Sequence, residues 1–394
     1  MKIPTKKKGV CMKRIFDSIW NYIKKTDKWF WILTMSASIY GFLLIYSQQR
    51  SGGTNFLKTQ IIAVGIGYIV AVFISCIDYR FYGKVWWIFA GVALSLTILV
   101  FFIGIQIAGT DDVGWIKIGS ITFQPSELTK ICFIITFAKH ISVLVKYDKL
   151  RSFFGVMTLV FHAAIPILLI HMQGDDGTAL VFGFMFLIMT FAAGVQLRYF
   201  ISFLLVICVS APLFYTKIMN DDQRNRLLVL FNLDDNSLTT YGWQQYQGKV
   251  SIASGGLFGE GYMNGPRVAK DIVPYQENDF IFTVAGEEFG FIGCTILLLI
   301  LLFIVIKTMR DAHLADDTFG KMICYGFFSI IATQTVINIG MVLGIFPVVG
   351  ITLPFFSSGG TSVMCLYFGV GLVQSVYMHR ENSHSLSKLH RNQV

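Results

Sequence analysis

Residues 278–307 read NDFIFTVAGEEFGFIGCTILLLILLFIVIK, and this stretch determines the fold class. From Gly290 it continues as an apolar run without a charge until Lys307, which is close to the length that a helix needs to cross a bilayer. A surface helix of a soluble domain carries a polar face, whereas this run is apolar on every side. The stretch therefore predicts a transmembrane helix.

The composition agrees with this interpretation. The 394 residues are 54% hydrophobic and 14% charged, whereas soluble domains carry about 25% charged residues. This balance excludes a cytosolic multidomain enzyme, a disordered chain and a secreted disulfide scaffold. The net charge of +9 would suggest nucleic acid for a soluble domain, but membrane proteins gather Lys and Arg on the cytoplasmic side, so we expect no nucleic-acid partner. The seven cysteines include no CxxC pair, which predicts neither a disulfide nor a zinc site.

Ten apolar runs have the length of a membrane-crossing helix, which predicts an all-α polytopic membrane protein with ten transmembrane helices. The runs cover residues 29–47, 57–77, 85–107, 125–145, 153–171, 177–195, 199–217, 288–307, 322–344 and 360–378. Residues 29–378 are thus expected to form one transmembrane domain. Within it, residues 217–287 form a large loop between the seventh and eighth helices.

The N-terminal segment, residues 1–28, is basic and predicts a cytoplasmic N-terminus. Since the first apolar run is too long for a signal peptide and lacks a small-residue cleavage site, we expect it to remain as an anchor. An even number of spans then places the tail, residues 379–394, on the cytoplasmic side as well. The large loop is therefore expected to face outward.

Asp279 stands where this loop meets an apolar run. Asp is a common helix N-cap, so both capping and catalysis are open for it. Glu287 and Glu288 lie in apolar surroundings, where adjacent carboxylates are costly unless they are paired or face a wet cavity. Because the apolar run is long for one span, residues 280–289 are predicted to form a short helix at the cavity mouth, with the span beginning near Gly290.

The stretch GWIKIGSITFQPSELTK, residues 114–130, holds a second set of charges. Pro125 suits the first turn of a helix. Glu127 and Lys130 are three residues apart on one helical face, where they form either a structural ion pair or part of a site. Lys117 is a further candidate for binding substrate.

Other candidates for substrate binding are polar residues expected on the outward side of the membrane. They are Asp175, Arg224, Arg226, Gln244, Gln247, Lys249 and Ser357. Arginine and lysine in a groove bind phosphate well, although a solvated loop face is the simpler interpretation for each base taken singly. Asp175 and Asp176 begin a span, so one of them is expected to cap that helix. The glycine cluster SGGLFGEG, residues 254–261, lacks the strand-turn-helix setting and the GKS/T ending of a phosphate-binding loop.

The connection NIGMVLGIFPVVGITLPFFSSGG, residues 338–360, places several prolines and glycines between the last two spans. Irregular backbone at membrane depth is tolerated where it lines a cavity or is buried in protein. This connection is therefore predicted to be re-entrant or tightly packed.

Seven motifs follow one another in a fixed order. They are QPSEL at 124–128, QxDxGTA at 173–179, SGGLxGxG at 254–261, NDFIF at 278–282, EExGxxG at 287–293, NIGMVxGxxPVVG at 338–350 and LPFxSxGG at 353–360. In these motifs the chain resembles the SEDS family (shape, elongation, division and sporulation), which includes RodA, FtsW and SpoVE. The resemblance covers nearly the whole chain, and PVVG and NIGM are more similar to the RodA branch.

The resemblance implies a peptidoglycan glycosyltransferase of the bacterial inner membrane, which polymerises lipid II into glycan strands for cell elongation and rod shape. The partners it implies are lipid II, the nascent glycan strand, membrane lipid and a class B penicillin-binding protein that acts as the transpeptidase. It assigns the catalytic carboxylate to Asp279 and a charged pair to Glu127 and Lys130. The family's loop positions match Arg224, Arg226, Gln244, Gln247 and Lys249.

The sequence departs from the family pattern in four places. Gly114 stands where the family commonly has arginine, and QGDDGT replaces QPDLGT. VPYQENDF replaces LPxxxTDF, and SSGG replaces SYGG. These departures concern the donor pocket and leave the assignment of Asp279 intact.

The implied reaction is an inverting glycosyl transfer from a polyprenyl-diphosphate donor. Asp279 would be the general base for the acceptor hydroxyl, and partial burial would raise its pKa from about 3.9 towards a more useful value. Basic side chains would offset the charge of the departing diphosphate. A divalent cation, Mg²⁺ or Mn²⁺, could do the same, although the sequence shows no dedicated ligand cluster.

Two other functions are open. A lipid II flippase would keep ionisable residues near mid-membrane, whereas the charges here cluster at the expected outer edge, with Lys139 as the main exception. A noncatalytic scaffold for a class B penicillin-binding protein would not need a carboxylate beside basic groups.

Overall fold

The computed structural model describes residues 17, 20–51, 56–106, 112–119, 121–231 and 242–380. The predicted cytoplasmic segments at the two chain ends lie mostly outside the described residues. Ten of the described helices are long and apolar enough to cross a membrane, as predicted.

The helices and strands follow one another along the chain in a simple order. They are α1 (Lys28–Gln48), α2 (Phe56–Cys76), α3 (Tyr79–Lys84), α4 (Trp86–Ile103), β1 (Ile116–Ile118), β2 (Ile121–Phe123), α5 (Pro125–Lys146), α6 (Phe153–His171), α7 (Asp176–Ala193), α8 (Leu197–Leu213), α9 (Asp221–Leu228), α10 (Trp243–Ser254), α11 (Pro266–Ala269), α12 (Ile281–Leu314), α13 (Thr318–Val342) and α14 (Gly360–Met378). A π-helical turn, Phe214–Ile218, extends α8.

The predicted spans are confirmed with small shifts at their ends. The largest difference concerns α12, which begins at Ile281 because a short helix joins the span through a break at Gly290. Gly290 has φ 64° and ψ −160°, which is not a helical conformation. The prediction of a short helix before Gly290 is therefore confirmed.

The helices at the centre of the bundle are α5, α13 and α14, of which 67%, 67% and 78% of the most apolar stretch is buried. α14 packs closely along α2, where a Cβ added at Gly371 would lie 2.7 Å from the carbonyl oxygen of Ala71. Small residues permit such close helix contacts in membranes. In contrast, α8 has no buried residue, so it stands at the edge of the bundle.

The two ends of the bundle are distinct. At one end, called the terminal end here, the start of α1 meets the end of α14, since Thr26 donates a hydrogen bond of 3.0 Å to Gln374. The opposite end, called the loop end, carries the segment between α8 and α12 and the connection 343–359. It also carries a small antiparallel hairpin, in which Ile116 pairs with Phe123, a departure from an all-α fold.

Candidate active site

The connection 343–359 is packed into the loop end and supports the backbone around Asp279. The side-chain amide of Asn338 donates to the carbonyl oxygens of Asp279 (2.8 Å) and Ile351 (2.6 Å). The hydroxyl of Ser357 donates to the carbonyl oxygen of Asn278 (2.6 Å). Asp279 therefore lies on a backbone that is fixed from two sides, and the prediction of a tightly packed connection is confirmed.

Ser357 is buried and serves this support. Its hydroxyl also accepts a hydrogen bond from the backbone N–H of Leu353 (2.8 Å), and its carbonyl oxygen accepts one from Gln60 (2.9 Å). Gln60 in turn accepts from the N–H of Gly359 (3.1 Å). The hydroxyl is thus occupied by backbone groups, and its predicted contact with substrate stays a prediction.

The carboxylate of Asp279 is not used as a helix cap. The N-cap position of α12 is Phe280, and no side chain caps this helix end. Within the part of the chain that the structure describes, the Asp279 carboxylate has neither an ion pair nor a hydrogen-bond partner. It faces Gly350, where an added Cβ would lie 3.6 Å from Oδ2. Of the two interpretations open from the sequence, capping is therefore wrong.

Burial raises the pKa of Asp279 to about 7, and the negative charges of Glu277, Asp112 and Asp175 act in the same direction. Burial also raises the pKa of Asp175 to about 6, although Lys130 opposes this shift. A carboxyl group with a pKa near the working pH is well suited to accept a proton. With a pKa of about 7, the half-buried Asp279 is partly ionised near neutral pH and is suited to accept a proton there.

The carboxylates of Glu277, Asp112 and Asp175 act on the charge of Asp279. Among the residues with a described position, no group of three or more His, Cys, Asp or Glu side chains could hold a metal ion. The residues present therefore do not fit a dedicated site for Mg²⁺ or Mn²⁺.

Glu127 and Lys130 form a buried ion pair of 2.9 Å near the start of α5. Lys130 is also close enough to act on the charge of Asp175. Asp175 caps α7 by accepting from the N–H of Thr178 (2.9 Å), and it accepts from Gln124 (3.1 Å). The pair is thus structural, and its lysine also acts on the charge of Asp175.

The expectation that one aspartate of the QGDDGT stretch caps a helix is confirmed for Asp175. Asp176 is engaged elsewhere, because it accepts from His171 and from Gln223 of α9. This contact holds α9 against the start of α7.

The two arginines of α9 have different surroundings. Arg224 donates to the carbonyl oxygens of Tyr215 (2.8 Å) and Thr216 (3.0 Å), so it mainly holds the end of α8. Arg226 donates to the carbonyl oxygen of Val348 (3.3 Å). Val348 is two residues from Gly350, a separation of at most about 7 Å between Cα atoms. Arg226 therefore contacts the connection two residues from Gly350, which Asp279 faces.

The other predicted residues are dispersed over the loop end. Lys249 is exposed and lies beside the connection, with Nζ 2.8 Å from a Cβ added at Gly344. Gln244 donates to the carbonyl oxygen of Pro274 (2.7 Å). Gln247 is buried and binds Arg267. Lys117 is exposed on β1. Lys249 and Arg226 are thus the loop cations that the structure places along the connection.

Three residues that hold this site are absent from the sequence-based predictions, namely Gln60, Asn338 and Arg267. Gln60 and Asn338 are amides inside otherwise apolar helices, where a polar side chain is expected to have a specific partner. The position of these two amides in spans therefore indicates a structural role from the sequence alone. The sequence gives no such indication for Arg267, because it lies in an irregular polar segment.

Comparison with known proteins identifies relatives along almost the full chain. The family profile of FtsW, RodA and SpoVE, described as "Cell cycle protein", matches residues 27–382. A probable peptidoglycan glycosyltransferase FtsW of Geobacter sulfurreducens is 31% identical over 90% of this chain and 95% of its own length. The peptidoglycan glycosyltransferase MrdB of Escherichia coli K12 is 29% identical over 89% of this chain and 93% of its own length.

Two solved structures share the fold at 24% sequence identity. A chain from a peptidoglycan synthase complex matches with a TM-score of 0.77, covering 90% of this chain and 99% of its own. The rod shape determining protein RodA of Thermus thermophilus matches with a TM-score of 0.67, covering 91% of this chain and 98% of its own. The ten-helix architecture is therefore a known membrane-protein fold.

Proposed function

Because this chain belongs to the family of FtsW, RodA and SpoVE, we propose that it is a peptidoglycan glycosyltransferase that polymerises lipid II, with Asp279 as the general base. The names of its relatives support the reaction class. The observation that carries the assignment of the base is the carboxylate of Asp279, which is half-buried, has a pKa of about 7 and is without a described partner.

In the proposed reaction, Asp279 takes the proton of the acceptor hydroxyl as that oxygen attacks the anomeric carbon of the donor. The new carbon–oxygen bond forms while the bond from the anomeric carbon to the diphosphate breaks, and the configuration inverts. The departing diphosphate gains charge, which Arg226, Lys249 and Lys130 would offset from the loop end. No step of this proposal is routed through a metal ion.

The position of α8 supports a lipid-linked substrate. None of its residues is buried, so this helix is exposed along its length and can contact lipid. A polyprenyl chain can remain in the bilayer while its diphosphate and sugars reach the loop end. This arrangement favours chemistry at one face of the membrane over transport across it.

We propose that the loop end faces outward, that both termini are cytoplasmic and that the protein lies in the bacterial inner membrane. The basic composition of the sequence at both chain ends, in contrast to the mixed polar composition of residues 217–287, supports this orientation. We also propose a class B penicillin-binding protein as partner, since the chain shares its fold with a component of a peptidoglycan synthase complex. A role in elongation rests on the motifs PVVG and NIGM, because FtsW and MrdB relatives match almost equally well.

The test is polymerisation of purified lipid II by the purified protein, alone and with its partner carrying an inactivated transpeptidase site. We expect glycan strands from the wild-type chain and none from Asp279→Asn. Lipid II access from each side of a vesicle separates polymerisation from transport. Transport without strand formation would reject the proposal in favour of a flippase. Strand formation by a correctly folded Asp279→Asn variant would reject the role of Asp279.

A further inference from the structure

The break in α12 at Gly290 frees backbone groups that a continuous helix would pair within itself. Segment 255–261, called the glycine loop here, supplies their partners from outside the helix. Two N–H groups of the loop donate to carbonyl oxygens of α12, from Glu260 to Glu287 (2.9 Å) and from Gly261 to Glu288 (3.1 Å). In return, two N–H groups of α12 donate to carbonyl oxygens of the loop, from Phe291 to Gly256 (2.9 Å) and from Ile292 to Leu257 (3.2 Å). The break is therefore stabilised by a specific segment rather than by water.

Close approach of the two backbones explains the glycines of this loop. A Cβ added at Gly255 would lie 2.0 Å from the carbonyl oxygen of Gly286, and one at Gly259 would lie 2.1 Å from that of Glu288. Both distances are impossible for a real side chain. Gly256 differs, because a Cβ there would meet nothing within 4 Å, although its φ of 52° is left-handed.

Glu287 makes a second connection between α12 and the polar segment. Its carboxylate is fully buried, and one oxygen accepts from the backbone N–H groups of Arg267 (2.7 Å) and Val268 (3.2 Å). The side chain of Arg267 donates to Ser251 (2.9 Å) and Gln247 of α10. A chain of polar contacts thus joins α12, α11 and α10.

Glu288 points in another direction and accepts a hydrogen bond from Ser47 at the end of α1 (2.5 Å). The two adjacent glutamates, which seemed costly in an apolar segment, therefore hold the short helix 281–289 from two sides. This short helix begins two residues after Asp279 and is almost entirely buried. Because only Phe280 lies between them, a shift of this helix would also displace Asp279.

From these contacts we propose that Glu287 is a positioning residue, which together with the glycine loop fixes the short helix 281–289 and so places the Asp279 carboxylate. This inference rests on the proposed function of Asp279. It assigns to Glu287 the role of a hydrogen-bond acceptor and no contact with substrate. A misplacement of about 1 Å is enough to cost a reaction about 100-fold in rate.

The first test compares two substitutions at Glu287. Glu287→Ala removes the acceptor and is expected to lower kcat about 10- to 100-fold with little change in the KM for lipid II. Glu287→Gln keeps an oxygen for the two N–H groups and is expected to restore most of kcat. Equal kcat for the alanine variant and the wild type would overturn the proposal. An increase in KM without a change in kcat would also overturn the proposal, since it would indicate that Glu287 contacts the substrate.

The second test uses two glycines of the same loop as a matched pair. Both glycines have a left-handed φ, 82° at Gly259 and 52° at Gly256, so alanine at either position costs about 1 kcal/mol, but only Gly259→Ala also clashes with the backbone of α12. We expect kcat to fall in the Gly259 variant and to be largely retained in the Gly256 variant. Similar kcat values in both variants would contradict a role for close contact between the loop and α12.

A readout independent of activity is hydrogen exchange of the full-length protein. The N–H of Ser358 donates to the carbonyl oxygen of Glu277 (2.8 Å) and so reports on the backbone just before Asp279. We expect Glu287→Ala to accelerate exchange at Ser358 and in the glycine loop, while Glu287→Gln does not. Unchanged exchange at Ser358 would reject the positioning role, whether or not the wild-type protein polymerises lipid II. Absence of polymerisation by the wild-type protein would reject only the proposed function.

Discussion

Buried carboxylates at the two ends of α12 have opposite surroundings. At the terminal end, Asp311 lies 3.1 Å from the amino group of Lys307, which also pairs with Asp27. Asp311 and Asp27 are almost fully buried and share Lys307 as a counterion. At the loop end, the structure describes no ion pair or hydrogen bond for the carboxylate of Asp279.

This difference distinguishes charges that stabilise the structure from a charge that we propose takes part in the reaction. A buried charge that has its counterion contributes to a unique fold, and it is strongly destabilising when one partner is removed. A carboxyl group that is buried without a counterion has a raised pKa and is free to exchange a proton. An ion cluster therefore lies at one end of α12, whereas the carboxylate that we propose as the base lies two residues before its other end.

The largest expected effect is on activity at the loop end. Asp279→Asn is expected to lower the rate of strand formation by at least about 100-fold, because the base is lost. The variant should nevertheless remain as stable as the wild type, or become more stable, above neutral pH. The reason is that the folded-state pKa of about 7 exceeds the usual value, so ionisation of Asp279 lowers stability as the pH rises towards and through 7.

The measurement is strand formation together with the melting temperature at pH 6 and pH 8. A melting temperature at pH 8 that is lower for Asp279→Asn than for the wild type would show that Asp279 is a structural charge. The comparison between the two ends of α12 would then fail.

A smaller effect, on stability, is expected at the terminal end. Lys307→Ala leaves Asp27 and Asp311 without their counterion and is expected to destabilise the protein by about 3–5 kcal/mol. Lys249→Ala is the matched control, since Lys249 is exposed at the loop end and should change stability by less than about 0.5 kcal/mol. Thermal unfolding in one detergent measures both, and equal melting temperatures would contradict the structural role of the terminal-end cluster.

The backbone support beneath Asp279 provides a third prediction. Asn338→Ala removes two hydrogen bonds and leaves the carbonyl oxygens of Asp279 and Ile351 without this donor, at a cost of about 1–3 kcal/mol. Because the support is lost, the rate of strand formation should fall as well. Val336→Ala, at an exposed position of the same helix, is the control and should change neither property appreciably. A variant at Asn338 with normal stability and rate would show that this support is dispensable.

The fold could be predicted from the sequence because each span satisfies its backbone hydrogen bonds internally, so that length and hydropathy are enough to identify it. The break at Gly290 was also predictable, since an apolar run too long for one span contains Glu287, Glu288 and a glycine. The hairpin of β1 and β2 was missed, because strands of three residues leave almost no periodic pattern.

The site could be predicted only in part. Asp279 could be singled out because it stands between a polar segment and an apolar one. The substrate contacts of Arg224 and Gln247 stay predictions, and their contacts within the protein, with backbone carbonyls for Arg224 and with Arg267 for Gln247, were not predicted. Which carbonyl oxygens lie near an arginine depends on long-range packing, which the spacing of residues does not reveal. The partner of Glu287 was unpredictable for the same reason.

The most direct test of the account is the pH dependence of kcat/KM for strand formation by the wild type and by Glu277→Gln. Since burial and the charge of Glu277 raise the pKa of Asp279 to about 7, the wild-type rate should rise with pH to a plateau with a midpoint near 7. Removal of the Glu277 charge should move this midpoint to lower pH, whereas Asp148→Asn, at the exposed terminal end, should not move it. A wild-type rate that does not change between about pH 5 and pH 9, or a midpoint that Glu277→Gln leaves unmoved, would contradict the assignment of Asp279 as the base.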